Sequence, residues 1–273
     1  MSEVSEGFRA SVLLPMWRCF GFLLLLHLFA WSRLGSLPPV PEIDRRLAAD
    51  PVQTPAERPP FEVRKRGVVY HIRPMANYEL RGLVVSYHDS DSWIDFYHKL
   101  WNDHLNFRDL GVVWGFNALG GLYRDIRFSN SDFTLEFQID SDEVLNRFRL
   151  DQVSNNHLLA GKPEVEETLR KIGKGDQILL RGVLCEYSHQ GGRRGTSLTR
   201  TDHGNGACET MYVDSVSILR EGNAGWRFFH GLSGFLLQLM IPILIWQAWS
   251  ALRAQPGELT PLPEPEPGEP KPV

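Results

Sequence analysis

The chain has 273 residues, a formal charge of −4 and a pI near 6.1. Its slight acidity argues against a nucleic-acid partner, which calls for a concentrated basic surface. Three cysteines are too few for a disulfide scaffold. With tails and anchors set aside, roughly one domain's worth of sequence remains, enough to bury a core.

Residues 1–11 read as a short tail. Val12–Trp31, VLLPMWRCFGFLLLLHLFAW, matches the roughly 20 residues that a bilayer core requires. Arg18 interrupts the run but can snorkel to the headgroups. Trp31-Ser32-Arg33 offers no small-x-small cleavage site, so the segment reads as an anchor that is kept. Prolines at 38, 39, 41, 51, 55, 59 and 60 make 32–60 an extended linker.

Residues 61–220 read as one β-rich domain. Phe61–Ile72 suits a leading hairpin around Lys65-Arg66-Gly67, and Tyr78–Tyr87 a strand bent at Gly82. Ser92–Leu105 suits a helical insertion. There Trp93, Phe96, Tyr97, Leu100 and Trp101 fall on one stripe, a spacing that points to core packing. Leu110–Trp114 is a short buried strand. Tyr123–Phe128 and Phe133–Gln138 alternate as a hairpin turning at Asn130-Ser131. Ser154-Asn155-Asn156-His157 precedes Leu158-Leu159 and reads as a cap or turn, with a hydrogen-bond network through Asn156 and His157.

Pro163–Ile172 follows as a helix: proline early, glutamates in the first turn, Arg170 and Lys171 in the last, with Gly173 and Gly175 to stop it. Gln177–Tyr187, with Gly182 at its middle, and Glu209–Leu219 are the final strands. Strands, one helix, then two strands is an order similar to the OB-fold, a small closed barrel.

Residues 226–252 hold a second apolar run. Phe228–Leu252 has no Asp, Glu, Lys or Arg, has Trp226, Trp246 and Trp249 near its ends, and is bracketed by Arg227 and Arg253. Pro242 would kink it, Gly231 and Gly234 would let the first helix approach, and Gln238 is expected to face that helix. Residues 253–273 read as a disordered Pro/Glu-rich tail. The expected fold class is therefore a membrane-anchored, β-rich α+β protein with an OB-like β-barrel domain between two transmembrane helices. By count, the positive-inside rule slightly favours a cytoplasmic middle, but long translocated segments escape it. The basic start and apolar run point instead to a two-pass protein of the bacterial inner membrane, its centre periplasmic and both termini cytoplasmic.

The run Arg200–Glu209 (RTDHGNGACE), the run Asp109–Gly115 (DLGVVWG) and Ser154–Leu158 (SNNHL) resemble a group of uncharacterised bacterial membrane-anchored proteins with an OB-like β-rich domain. The resemblance spans most of the middle segment and implies a bacterial source and one contiguous domain. It carries no activity and lends no catalytic residue.

The residues themselves offer three candidates for chemistry. Asp202 with Gly204, Asn205 and Gly206 is turn chemistry, and such a loop can cradle an anion between Arg193, Arg194, Arg200, Asp202, His203 and Asn205. Cys185 lies on one strand and Cys208 begins the next. Antiparallel pairing would bring them into disulfide range in an oxidising periplasm, closing a loop worth on the order of 3 kcal/mol. His88, Asp89, Asp91, Asp95, His98, Asp103 and His104 are rich in ligand types but lack a tight metal-binding spacing, and read as a solvated insertion. No cofactor motif or catalytic set stands out. The expectation is a non-enzymatic membrane-tethered binding or assembly module, in contact with the bilayer and other envelope proteins and not with nucleic acid. The alternatives are a periplasmic enzyme using Arg200, Asp202, His203, Cys208 and Glu209, or a membrane ligand sensor.

Overall fold

A computed structural model describes residues 2–92, 95–190, 192–202 and 207–253. It divides into a body, Ala30–Arg227, and a helical unit made of the two ends of the chain.

The body is a mixed α+β fold dominated by one large sheet. Its longest strand is β3 (Val68–Asp89), preceded by β1 (Val52–Pro55) and β2 (Phe61–Lys65), both paired antiparallel with it. β3 pairs with β8 (Gln177–His189) over His71–Leu83 and with β4 (Asn106–Val113) over Leu83–Asp89. β4 pairs with β7 (Val153–Leu159), β7 runs parallel to β10 (Glu209–Arg220), and β10 pairs antiparallel with β8. The pairing path β3–β4–β7–β10–β8 thus returns to β3, and short β9 (Gly192–Arg194) extends β8. A separate hairpin, β5 (Ile126–Ser131) with β6 (Thr134–Ile139), turns at Asp132-Phe133.

Side chains alternate across each strand. Leu80, Val84, Leu110, Val112, Leu158, Leu180, Met211 and Val213 share one buried apolar cluster with Val165 and Leu169. The last two come from α5 (Pro163–Lys171), which begins on proline, carries Glu164 and Glu166 in its first turn and ends at Ile172 in extended backbone. Arg108 Nη1 donates to the Leu169 and Ile172 carbonyls at 2.5 and 2.6 Å, while its Nε pairs with Asp89 at 2.7 Å. A guanidinium there satisfies the free carbonyls and complements the helix dipole. Because Leu110, Val112 and Leu158 face this cluster, Asp109, Gly111, Asn155 and His157 face the other way.

The hairpin β5–β6 lies against that outward face. Gly111 makes this possible: a Cβ there would sit 2.5 Å from Ser86 Oγ and 2.7 Å from Leu135 Cδ1. Phe133 at the hairpin tip has φ 71, a left-handed conformation that costs a bulky residue about 1–3 kcal/mol.

Several expectations change. The segment 32–60 is not a free linker. It forms two 3₁₀ turns and β1, and it buries Ile43 and Leu47 against Leu83, Tyr123 and Phe148. Tyr123 belongs to a 3₁₀ turn, not a strand, because its hydroxyl donates to the buried Pro38 carbonyl at 2.7 Å. Ser154–Leu158 is no cap but the middle of β7. In the insertion only Tyr97–Leu100 is helical (α2), and Phe96, Tyr97, Leu100 and Trp101 are exposed rather than core. Trp93 lies outside the described residues. Two further short helices, α3 (Gly115–Leu119) and α4 (Asp142–Arg147), complete the body. At its end, the Asp176 carboxylate accepts from the Gly173 and Gly222 N–H groups, each at 2.7 Å, and from Arg227 at 2.8 Å.

The helical unit contains most of α1 (Ser2–Arg33) and α6 (Ala224–Arg253). Among the described residues one helix, at Ala224–Ser250, is long and apolar enough to cross a membrane. The run Val12–Trp31 lies within α1, but its uncharged stretch between Arg18 and Arg33 is shorter than a span, so a second membrane helix is not shown. The His27 and His230 rings stack at 4.1 Å, and His27 Nδ1 lies 3.2 Å from Ser233 Oγ. Gly234 faces His27 closely, whereas Gly231 faces open space. Gln238 is exposed, not turned to the other helix. The buried stripe of α6 is Ser233, Leu237 and Leu244, and Gln238 lies off it. The Pro/Glu-rich segment after Arg253 lies outside the described residues.

Candidate functional site

The outward face of β4 and β7 carries charge where a sheet face packed under a hairpin ordinarily carries carbon. Asp109 and His157 sit directly opposite in the β4–β7 register, and His157 Nδ1 lies 2.8 Å from Asp109 Oδ1. Asp109 is fully buried and His157 is 3% exposed. Burial alone would raise the Asp109 carboxyl, but His157 and Arg194 hold it below the usual range. Burial likewise opposes charge on His157, yet Asp109 and a hydrogen bond to the Cys208 thiol push it up to about 9. The pair is therefore carboxylate and imidazolium at neutral pH. Asp109 Oδ2 has no hydrogen-bond partner among the described residues, a costly state for a buried oxygen.

Cys208 stands one residue before β10 and is half-buried. The Asn155 Nδ2 group lies 3.7 Å from its sulfur and donates to the Phe133 carbonyl at 3.2 Å. Asn155 is itself oriented, because its Oδ1 accepts from Asn130 Nδ2 at 2.8 Å and Asn130 Oδ1 accepts from Ser86 Oγ at 2.5 Å. Phe133 roofs the centre. Its ring stacks on Trp101 at 5.5 Å, lies 4.5 Å from His98 and 6.3 Å from His157, and carries the Arg194 guanidinium at 4.0 Å. These contacts hold the strained backbone of Phe133 in place.

A second shelf comes from the insertion. Asp95 Oδ2 lies 2.8 Å from both His88 Nε2 and His98 Nδ1, and Asn106 Nδ2 lies 2.9 Å from His98 Nε2. Burial raises the Asp95 carboxyl, but the His88 and His98 contacts hold it below its ordinary value. His88, Asp95 and Asp132 present ligand atoms within 4.8 Å of one another, and His88 Nε2 lies 2.8 Å from Asp95 Oδ2 and 3.2 Å from Asp132 Oδ1.

The expected anion loop does not assemble among the described residues. Arg193 pairs with Glu186 at 2.6 Å, and Arg200 with Glu209 at 2.6 Å and with the Tyr78 hydroxyl at 3.1 Å. Asp202 accepts from Ser197 Oγ at 2.6 Å. Only Arg194 turns toward the centre. His203 and Asn205 lie outside the described residues. Glu209 is buried, which raises its carboxyl to about 7 against the pull of Arg200.

Cys185 and Cys208 are both free thiols, so the expected disulfide is not formed. Cys185 points into an apolar cluster with Tyr70, Ile72, Leu159 and Tyr212, whereas Cys208 faces Asn155 and His157. An open cleft of about 480 Å³ lined by Phe61, His71, Arg73, Glu186 and Arg193 includes none of Asp95, His98, Asp109, His157 or Cys208. Its two arginines, Arg73 and Arg193, are paired with Glu186. Sequence reasoning missed the Asp109–His157 pair. The available signal was polar residues placed two apart on what should have been buried strands.

Compared with known protein families, with curated proteins and with solved structures, the chain gives no match.

Proposed function

We propose that this protein is a membrane-tethered binding module. An OB-like closed barrel, carried by two membrane helices, would hold an envelope ligand at the rim of the β4–β7 face, where the loop before β4 leaves aromatic side chains exposed. One observation carries the reading: the pairing path returns to its first strand, with β7 and β10 parallel and α5 between β7 and β8. In OB-type barrels the ligand lies on the second and third strands, between the loop joining strands one and two and the loop joining strands four and five. Here those strands are β4 and β7, and the loops span residues 90–105 and 190–208. They bring His98, Arg194 and Cys208 around Asp109 and His157. Phe96, Tyr97, Leu100 and Trp101 stand exposed on the first loop, a cluster suited to contact.

The two-pass topology is supported by the apolar length of α6 and by the stacking of His27 on His230. We place the body in the periplasm of a bacterial inner membrane, with both termini cytoplasmic. Reporter fusions at Asp50 and at the C-terminus test this, and the expected result is an external Asp50 and an internal C-terminus. A photocrosslinker at Trp101 in intact cells should yield a discrete adduct, and one at Val52 should not. Equal labelling at both positions, or none, would reject the binding face.

A further inference from the structure

We infer that His88, Asp95 and Asp132 form a binding site for one first-row divalent metal ion such as zinc. This goes beyond the binding reading and needs neither the membrane topology nor the barrel assignment.

The three ligands come from three elements. His88 stands near the end of β3, Asp95 in the insertion and Asp132 at the tip of the β5–β6 hairpin. No local spacing announces such a set, because Asp132 joins it only when the hairpin packs on the sheet.

The separations suit an ion. His88 Nε2 lies 2.8 Å from Asp95 Oδ2 and 3.2 Å from Asp132 Oδ1. Bonds of about 2.0–2.1 Å at a tetrahedral ion put neighbouring ligand atoms about 3.3 Å apart, close to both values. The Asp95 and Asp132 ligand atoms stand within 4.8 Å. Asp132, with its side chain 33% exposed, can turn inward to close that side.

Charge favours an ion over hydrogen bonds alone. The Nε2 atom carries at most one hydrogen, yet it faces two carboxylates. One hydrogen shared between two anions satisfies neither fully, and Asp95 is buried, where an uncompensated carboxylate is costly. A dication bonded to all three groups balances both carboxylates and shares no hydrogen.

Asp95 is also braced from behind. Its Oδ1 accepts from the His98 backbone N–H at 2.9 Å, and its Oδ2 lies 2.8 Å from His98 Nδ1. Asn106 Nδ2 donates to His98 Nε2 at 2.9 Å, so the ring hydrogen of His98 sits on Nδ1 and points to Asp95. Such partners fix a ligand's orientation before the ion arrives. In front, His88 and Asp132 are both partly exposed, which leaves a path for the ion and for water at a fourth position.

The imidazole nitrogen selects zinc and its first-row neighbours over magnesium or calcium, whose sites are built of oxygen. Bound there, the ion ties the insertion to the hairpin tip. Phe133 follows Asp132 and stacks on Trp101, so the same ion steadies the exposed aromatic cluster.

The test uses untagged full-length protein in detergent, stripped with a chelator and then dialysed against low-micromolar zinc. One zinc per chain should remain, and it should raise the melting temperature. Asp132→Asn alters a partly exposed side chain and should leave the metal-free melting temperature unchanged. It and His88→Gln should each weaken zinc binding at least about tenfold. His71→Gln, at an exposed pair with Glu62, should bind as wild type does. Cobalt in place of zinc should give visible bands without the near-ultraviolet band of a thiolate ligand. Millimolar magnesium or calcium should not displace zinc. No zinc retained by wild type, or equal retention and an equal melting-temperature rise in Asp132→Asn, would overturn the site. A thiolate band, or displacement by magnesium or calcium, would overturn the ligand set.

Discussion

Two cysteines, one on β8 and one just before β10, live in opposite surroundings. Cys185 is sealed among Tyr70, Ile72, Leu159 and Tyr212, and burial pushes its thiol up to about 12. Cys208, at the mouth of β10, meets an amide, an imidazole and a carbonyl. The first region is held by volume and excludes charge. The second is held by pairing and tolerates charge only while every partner stays in place. One sheet thus carries an apolar region and a region of buried charge, and the two should respond to perturbation differently.

The largest contrast is expected from breaking the buried pair. Asp109→Ala leaves a buried imidazolium without its partner and should cost about 3–5 kcal/mol in urea unfolding. Asp109→Asn with His157→Gln should cost clearly less than the sum of the two single changes, because the residues are coupled. Additive costs would mean that the pair does not hold this region.

Raising the pH should loosen the same region and spare the other. His157 titrates higher in the folded chain, near 9, than the roughly 6.5 of an unfolded histidine. Its contribution is therefore complete below about pH 6.5 and lost as pH rises through 9. Glu209, raised to about 7, adds a loss of the same sign between about pH 4.5 and 7. The melting temperature should fall between pH 6.5 and 9 by an amount equivalent to roughly 3 kcal/mol. The fall should flatten in His157→Gln, and an unchanged slope would reject the assignment.

Gly111→Ala should cost about 1–3 kcal/mol and loosen the hairpin over the polar face, since the new methyl group meets Ser86 and Leu135. Increased proteolysis between Ile126 and Ile139 would report it. Cys185→Ser should also cost about 1–3 kcal/mol, by placing a hydroxyl in apolar surroundings. Cys208→Ser, amid polar partners, should stay within about 0.5 kcal/mol. The smallest effect belongs to Arg193→Ala. Its exposed pair with Glu186 should be worth under about 1 kcal/mol, and an unchanged urea midpoint is the expected reading.

The legible parts of the fold were those where local pattern and tertiary role agree. Helix α5 announced itself by Pro163, its charge order and the glycines beyond it. β8 and β10 are apolar enough to be read as strands, and the leading hairpin turns at Arg66-Gly67 as expected. β7 was not legible. SNNHLL looks like a turn because its outward positions carry Asn155 and His157 and its inward Asn156 bonds the Leu110 carbonyl. The same placement of polar groups where carbon is expected hid the buried pair. Asp109 and His157 are distant in sequence and meet only through the β4–β7 register. The exposed Phe96–Trp101 stripe failed for the opposite reason. Helical spacing says which side chains share a face, not whether anything covers it.

The last strand of the body sits between two strands that precede it. Until Glu209–Arg220 is made and inserted, β7 and β8 each present an open edge, and the path cannot return on itself. Most of the chain must therefore be synthesised before β7 and β8 are each paired on both sides. An open edge invites pairing with other chains, so a product ending before residue 209 should aggregate instead of forming a smaller stable body. Completion of the fold and emergence of α6 are nearly the same event on the ribosome.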